Sequence, residues 1–351
     1  MNLRTIKINL LIMLLLSIAL VVFLETYLNF TRPKIYQPDK HLGWKIKSDI
    51  SLIKEDRDYL GIPYKVDFST NEQGLRITGA LKPDLKILIL GDSYTMEPTS
   101  SNNDMWFAEF GRVLELNMNK DIMVTAGGGG GWGTYQNILL AKQIAQNMSP
   151  DIFILQFCEN DYSNNLFELE SKGIVRNQYL NRPYGISNGN NLTFFRTETL
   201  SAQIYRAITN YSRLASFIDS RIQAIQYSNL NGYFYYMDQS MKDKLHKEAI
   251  ETTRHQLKEF KNIFPKTSMY ILNCSESKDP VFSGIWKDLA THAGFKVLSQ
   301  PSLFVSSIRE AKETNNRDLL GFLNIDGAHL SNIGNKKFGE IAANEFLELK
   351  H

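Results

Sequence analysis

Hydrophobic residues occur along the chain as short unbroken runs that alternate with longer stretches of helical periodicity. The runs at residues 87–90, 122–124 and 152–157 predict buried strands, and residues 106–116 and 134–147 between them predict helices. Strands that are apolar on both faces and separated by helices are typical of a parallel sheet covered on both sides. The pattern therefore predicts an α/β fold with helices above and below a parallel sheet.

The alternation resumes near the carboxyl end after an interruption. The later predicted elements are helix 248–263, strand 269–272, helix 282–292, strand 295–298 and a terminal helix at 335–349. Residues 162–243 are instead polar and aromatic, which indicates an insertion on the side where the strands end. Because ligands of open parallel sheets bind beyond the carboxyl ends of the strands, we expect a lid or a substrate-recognition surface there. Its tyrosines could either stack on sugar rings or pack in the interior: Tyr205, Tyr211, Tyr227, Tyr233, Tyr235 and Tyr236.

The amino terminus carries a second kind of apolar run. Residues 10–24 are broken only by Ser17, and flanking residues extend the stretch to 8–30. A bilayer span needs about 20 mostly apolar residues. A cleaved signal peptide is the alternative, but no small-x-small cleavage site follows the run. We expect residues 1–30 to be an uncleaved single-pass anchor, although the basic residues that follow argue, by charge alone, against a carboxyl-terminal domain outside the cell.

Composition narrows the class of protein. The chain has 351 residues, of which 43% are hydrophobic, so a large folded core is expected rather than disorder or a small disulfide scaffold. The formal net charge of +2 gives no reason to expect a nucleic-acid partner. Cys158 and Cys274 each follow a strand-like run, and a disulfide and two buried thiols both stay open. Residues 31–82 read as a lead-in with one strand, and residues 83–351 as the main domain.

Candidate chemistry lies in loops after the predicted strands. Ser93 follows the first strand in the triplet Gly-Asp-Ser, and Asp326 precedes His329 by three residues near the other end. A serine hydroxyl becomes a nucleophile at neutral pH when a histidine removes its proton and an acid orients that histidine. An ordinary turn with Ser93 as helix cap is the structural alternative.

Two further loops could supply donors for an oxyanion. Residues 127–131 are all glycine, so a bare backbone can aim an N–H group at a ligand, and Asn160 offers a neutral side-chain amide. A flexible loop and an Asn-Asp turn are the alternatives. No Gly-Lys-Ser/Thr follows the glycines, which argues against a nucleotide P-loop. The other histidines lack ligand spacing with His329, so we expect neither a metal nor a cofactor.

Ser93, a loop glycine, Asn160 and His329 occur in an order that resembles the four blocks of the SGNH/GDSL hydrolase superfamily. The resemblance implies a three-layer, flavodoxin-like α/β/α fold. It also implies a triad of Ser93, Asp326 and His329, with an oxyanion hole formed by the N–H groups of Ser93 and Gly131 and by the Asn160 amide. Three segments ahead of or within these blocks look like those of a membrane-anchored branch: residues 42–44, 71–76 and 131–136.

The chain departs from that branch at Glu97, Ala126 and Cys158-Glu159, and its extra glycines leave Gly129 and Gly130 as rivals of Gly131. Glu97 could narrow the pocket or repel anionic substrates. The resemblance implies hydrolysis or transfer of an acyl group, expected to be acetyl, on a small molecule or cell-envelope glycan, with the domain outside the cytoplasm and a membrane acyltransferase as an expected partner. The rival hypothesis is a catalytically idle envelope protein that binds glycan or scaffolds an assembly.

Overall fold

The computed structural model describes residues 3–31, 34–96, 98–172, 177–188, 191–229, 238–274 and 284–350. The strands are β1 (Tyr36–Asp39), β2 (Gly43–Ile46), β3 (Ser51–Arg57), β4 (Pro63–Ser69), β5 (Arg76–Gly79), β6 (Leu85–Gly91), β7 (Ile122–Gly128), β8 (Ile152–Phe157), β9 (Tyr184–Asn188), β10 (Asn191–Phe195), β11 (Ser268–Asn273) and β12 (Lys296–Leu298). The helices are α1 (Leu3–Thr31), α2 (Ser93–Met96), α3 (Trp106–Met118), α4 (Thr134–Ile144), α5 (Asn160–Asn165), α6 (Phe167–Lys172), α7 (Leu200–Tyr211), α8 (Arg213–Asn229), α9 (Gln239–Ile263), α10 (Ile285–His292), α11 (Gln300–Glu313), α12 (Arg317–Leu320) and α13 (Asn332–Glu348). Short 3₁₀ turns cover Asn102–Asp104 and Asn177–Leu180.

The main sheet has six strands in the order β12-β11-β8-β6-β7-β5. All neighbours pair in parallel except β5, which lies antiparallel to β7 at one edge. Numbered along the chain, the parallel strands run 2-1-3-4-5, which is the flavodoxin-like order. The expected parallel α/β sheet and its flavodoxin-like topology are therefore confirmed.

Helices cover both faces of this sheet. Leu88 and Leu90 of β6 point into a core shared with α4, α9 and α10. Ile87 and Ile89 alternate to the other face, where they pack with α3, α11 and α13. Because successive side chains of a strand point to opposite faces, a fully apolar strand is buried only when both faces are covered. The three-layer arrangement thus follows from the composition of the strands.

The lead-in segment contains more strands than the one expected from its alternating run. β1 pairs with β2 and β3 pairs with β4 in two antiparallel hairpins, and β5 joins the main sheet. Pro38 lies inside β1, and β3 alternates half-buried with exposed residues, so neither has a strong strand pattern. The sheet thus begins before residue 83, where the sequence analysis placed the start of the main domain.

Helix α11 has no counterpart among the predicted elements. Its buried stripe is narrow, with Val305, Ile308 and Ala311 set among serines and charged residues. Helix α9 begins nine residues before the predicted position, with Asp238 as its N-cap. The first two residues of the predicted helix 282–292 lie outside the described residues.

Helix α1 is long and apolar enough to cross a bilayer, with a mean hydropathy of 2.6 in its most apolar window. A signal sequence has the same length and composition. The inserted segment after β8 contains a β9–β10 hairpin and the helices α5 to α8.

Candidate active site

The predicted site residues meet at the carboxyl edge of the parallel sheet. Ser93 follows β6, Gly131 follows β7 and Asn160 follows β8, and the strand order reverses between β6 and β8. This reversal is where open α/β sheets form a ligand crevice. Ser93, Gly131, Asn160 and His329 all line one cavity of about 720 Å³. The fold therefore brings together four residues that are far apart in the sequence.

Ser93 lies at the start of α2, on a turn that is fixed by the residue before it. The Asp92 backbone N–H donates to Gln156 Oε1 at 3.1 Å, and the Tyr94 N–H donates to Asp92 Oδ1 at 3.0 Å. A Cβ added to Gly91 would lie 2.4 Å from Gln156 Oε1, so a larger residue would displace the side chain that accepts the Asp92 N–H. These contacts of its two neighbours fix the turn that places Ser93 at the cavity wall.

Asp326 holds His329 through both of its carboxylate oxygens. His329 Nδ1 lies 2.6 Å from Asp326 Oδ2, and the His329 backbone N–H donates to Oδ1 at 2.9 Å. The Ala328 N–H also donates to Oδ1, at 2.8 Å. With Nδ1–H donating to the carboxylate, Nε2 is the nitrogen that is suited to accept a proton.

The charge of Asp326 is stabilised by the same contacts. Burial raises the pKa of this carboxyl, but hydrogen bonding and the charge of His329, with the two backbone N–H groups, outweigh burial and lower the pKa to about 2. Asp326 is therefore ionised at neutral pH and can stabilise an imidazolium on His329.

The glycine loop is fixed by the β1–β2 hairpin. The Gly130 N–H donates to the Tyr36 hydroxyl at 2.8 Å, and Trp44 Nε1 donates to the Gly130 carbonyl at 3.1 Å. Gly131 lines the cavity with a φ of 71°, which favours glycine. Because the Gly130 N–H already donates to Tyr36, the Gly131 N–H is the better candidate for a hydrogen bond to a ligand.

Asn160 lies near Asp92, whose carboxyl is buried, and both residues line the cavity. Burial raises the pKa of Asp92, against the opposing effects of the Tyr94 N–H, the charge of His329 and the amides of Gln156 and Asn160. An amide carries two N–H donors, so the Asn160 side chain can face a ligand in the cavity as well as Asp92.

The two cysteines form a disulfide that closes one side of the cavity. Cys158 follows β8 and Cys274 follows β11, neighbouring parallel strands, and both residues line the cavity. Of the two alternatives that the sequence left open, the structure has the disulfide rather than the pair of thiols.

Several lining residues were not among the sequence candidates. Tyr36, Trp44, Gln178, Asn181 and Arg309 contribute to the cavity wall. Trp44 lies in the Leu-Gly-Trp segment that resembled the membrane-anchored branch, and this was the one available signal. Arg309 could not be found in this way because it lies on α11, whose helical pattern is weak.

Of the six tyrosines considered in the insertion, the two whose side chains the structure describes, Tyr205 and Tyr211, do not line this cavity. Tyr205 donates to Asp219 at 2.9 Å, and Tyr211 is 86% exposed. The side chain of Tyr227 and residues 233, 235 and 236 lie outside the described residues, as does Glu97. Among the described residues, no group of His, Cys, Asp and Glu side chains could hold a metal ion.

No protein-family model matches the sequence, and no curated protein matches it. Similar solved structures include TesA, with a TM-score of 0.43 at 10% identity over 75% of this chain and 99% of that chain. A protein described as a GDSL-like lipase from Parabacteroides merdae ATCC 43184 has a TM-score of 0.40 at 13% identity, covering 76% and 97% of the two chains. A family 3 carbohydrate esterase from Clostridium thermocellum has a TM-score of 0.38 at 13% identity, covering 76% and 96%. Similarity at this level is too low to transfer an activity to this chain.

Proposed function

We propose that the protein is a serine ester hydrolase of the SGNH/GDSL type, with Ser93, His329 and Asp326 as its triad. One observation carries the proposal: His329, which contacts Asp326 at 2.6 Å, lines the same cavity as Ser93, which lies just after the first parallel strand. A serine that only caps a helix and a histidine that only lies on the surface would have no reason to share one cavity. The order of the motifs along the chain supports the same family.

The reaction follows from the positions of these groups. Ser93 Oγ attacks the ester carbonyl while His329 Nε2 takes its proton, and Asp326 stabilises the imidazolium. The N–H groups of Ser93 and Gly131 and the Asn160 amide stabilise the negative oxygen of the tetrahedral intermediate. The intermediate collapses to an acyl-enzyme as His329 returns the proton to the leaving alcohol.

The second half of the reaction decides the product. Water activated by His329 attacks the acyl-enzyme and releases the acid and free Ser93. A sugar hydroxyl in place of water would give an O-acyl glycan by the same steps. The proposed acyl group is acetyl and the proposed substrate is a glycan of the cell envelope.

Three features support an envelope glycan. The cavity is large and is lined by Tyr36 and Trp44, whose rings are suited to sugar faces, and by the amides of Gln178 and Asn181. The disulfide between Cys158 and Cys274 suits an oxidising compartment, and α1 suits an anchor that retains the domain at a membrane surface.

Release of acetate from an O-acetylated polysaccharide by the full-length chain tests this proposal. Ser93→Ala is the matched control, and p-nitrophenyl acetate and octanoate report acyl preference without a glycan. We expect turnover of the acetyl ester and the polysaccharide that is lost in Ser93→Ala. Transfer of the acetyl group to an added sugar acceptor would identify the transferase reaction. Folded protein that binds glycan but turns over neither ester would instead support the idle binding protein.

A further inference from the structure

Helix α7 carries its apolar residues on the outside. Its large exposed side chains are Leu200 (73% exposed), Ile204 (50%), Ile208 (50%) and Tyr211 (86%). Their spacing of three and four residues places them on one stripe. A helix on the surface of a water-soluble domain has the opposite arrangement, with apolar residues facing the core.

The inward face of α7 carries the small buried Ala202 and polar side chains that bond to neighbouring elements. Tyr205 donates to Asp219 on α8 at 2.9 Å, and Arg206 Nη1 donates to the carbonyls of Leu180 at 2.6 Å and Thr197 at 2.8 Å. These bonds fix the rotation of α7, so the apolar stripe cannot turn inward without breaking them.

Helix α8, which packs against α7, has a similar stripe. Ile218 is 48% exposed, Ile222 is 50% exposed and Ile225 is 60% exposed, again at spacings of four and three residues. Contiguous exposed apolar surface of this kind marks a surface that is covered by a membrane or another molecule. We call α7 and α8, with their two stripes, the α7–α8 platform.

The junction of the platform is clamped to α1. Glu25 of α1 accepts hydrogen bonds from the Ser212 hydroxyl and the Leu214 N–H, both at 2.9 Å, and from the Arg213 N–H. It thereby caps the amino terminus of α8 with a residue from another helix. Lys34 Nζ donates to the Asn210 carbonyl at 2.9 Å, at the end of α7.

The clamp fixes the level of the junction relative to a bilayer. A hydrocarbon core about 30 Å thick takes about 20 helical residues at about 1.5 Å each. If that core begins after Lys7, it ends near Tyr27, so Glu25 lies close to the boundary between acyl chains and headgroups. Phe23, Tyr27 and Phe30 are exposed on α1 around this level, as in the aromatic belts of membrane helices.

We propose that the α7–α8 platform lies in the interface of the same bilayer that α1 spans, with its apolar stripes in contact with phospholipid. Continuity with α1 selects a lipid surface as the occupant. Amphipathic helices bind such interfaces with the apolar face at the boundary between headgroups and acyl chains. The proposal goes beyond the esterase assignment and does not depend on catalysis.

The platform is also connected to the cavity. Arg206 of α7 binds the carbonyl of Leu180, which lies between Gln178 and Asn181 of the cavity wall. Contact of α7 with lipid would therefore hold this wall, and with it the cavity opening, at a fixed height above the membrane.

Lipid-attached quenchers test the proposal on the full-length chain in vesicles of phosphatidylethanolamine and phosphatidylglycerol. Single cysteines at Ile208 and Ile222 carry an environment-sensitive fluorophore, and the native cysteines are already paired with each other. Leu116→Cys on α3, at a position that is 72% exposed, is the matched control. We expect a blue shift and a loss of fluorescence with brominated acyl chains at Ile208 and Ile222, and neither effect at Leu116.

Water-like emission at all three positions would overturn the proposal. A blue shift at Ile208 and Ile222 without quenching by brominated lipid would overturn it in favour of a protein surface, such as a second copy of the chain. Protein that does not float with the vesicles would overturn it as well, because the platform requires an inserted α1. None of these outcomes depends on esterase activity, so they are distinguishable from failure of the proposed function.

Discussion

The Tyr94 hydroxyl donates a hydrogen bond of 2.7 Å to the carbonyl oxygen of Ala328. Tyr94 follows Ser93 and Ala328 precedes His329, so this bond joins the nucleophile turn to the histidine loop across 234 residues. The Tyr94 ring also lies 5.7 Å from the His329 imidazole, measured between centroids. Tyr94 therefore links the two loops and helps to set the distance between Ser93 and His329.

Tyr94→Phe keeps the aromatic ring and removes the hydrogen bond to the Ala328 carbonyl. A typical hydrogen bond contributes about 1 kcal/mol, and a misplaced base loses rate, so we expect kcat/KM for an acetyl ester to fall by roughly 5- to 10-fold. Tyr205→Phe, which also loses a hydroxyl bond but lies outside the cavity wall, is the control. Equal kcat/KM in Tyr94→Phe and the wild type would show that this hydrogen bond does not position His329.

Asp326→Asn keeps the shape of the acid and removes its charge. An amide at this position favours the wrong histidine tautomer and leaves an imidazolium unstabilised, so we expect kcat to fall by roughly 10³- to 10⁴-fold. Asp318→Asn is the control, because it removes the same charge at an exposed position nearby in the sequence. We expect it to retain activity. Steady-state kinetics on one ester compare the two, and similar kcat values in both variants would remove Asp326 from the triad.

The Asp326–His329 pair also predicts how stability depends on pH. The folded-state pKa of Asp326 is lowered to about 2 from 3.8, so its ionisation favours folding above about pH 4, and this contribution is lost as the pH falls toward 2. The difference in urea midpoint between wild type and Asp326→Asn should therefore shrink between pH 5 and pH 3. A difference that stays constant over this range would contradict the lowered pKa.

Asn160→Ala removes the proposed side-chain donor to the oxyanion. Loss of such a donor acts on the transition state, so we expect kcat to fall by roughly 10²- to 10³-fold with little change in KM. Asn262→Ala removes an amide that contacts Glu259 at the surface, and serves as the control. A rise in KM at unchanged kcat would instead assign Asn160 to substrate binding.

The sequence predicted the central strands well because their apolar runs are unambiguous. The prediction for β8 matches residue for residue, and Ser93 and Asn160 lie shortly after the carboxyl ends of β6 and β8. The Asp326–His329 contact was also predictable, since the two residues are three positions apart in one turn.

The walls of the cavity were much harder to predict. Tyr36 and Trp44 reach Gly130 across 94 and 86 residues, from strands that lack a clear alternating pattern. The resemblance named Gly131 but left Gly129 and Gly130 as rivals, and the contact of Gly130 with Tyr36 that bears on this choice spans 94 residues. The exposed stripe of α7 follows helical periodicity, but only the structure shows that it faces outward.

A fluorophosphonate probe tests the central claim most directly, because it reacts with serines activated by a neighbouring base and needs no knowledge of the substrate. The full-length chain, Ser93→Ala and His329→Ala are treated in parallel, and the labelled peptide is identified by mass spectrometry. We predict labelling of the peptide that contains Ser93, no labelling in Ser93→Ala and strongly reduced labelling in His329→Ala. Folded wild-type protein that stays unlabelled, or that labels equally in His329→Ala, would contradict the proposed triad.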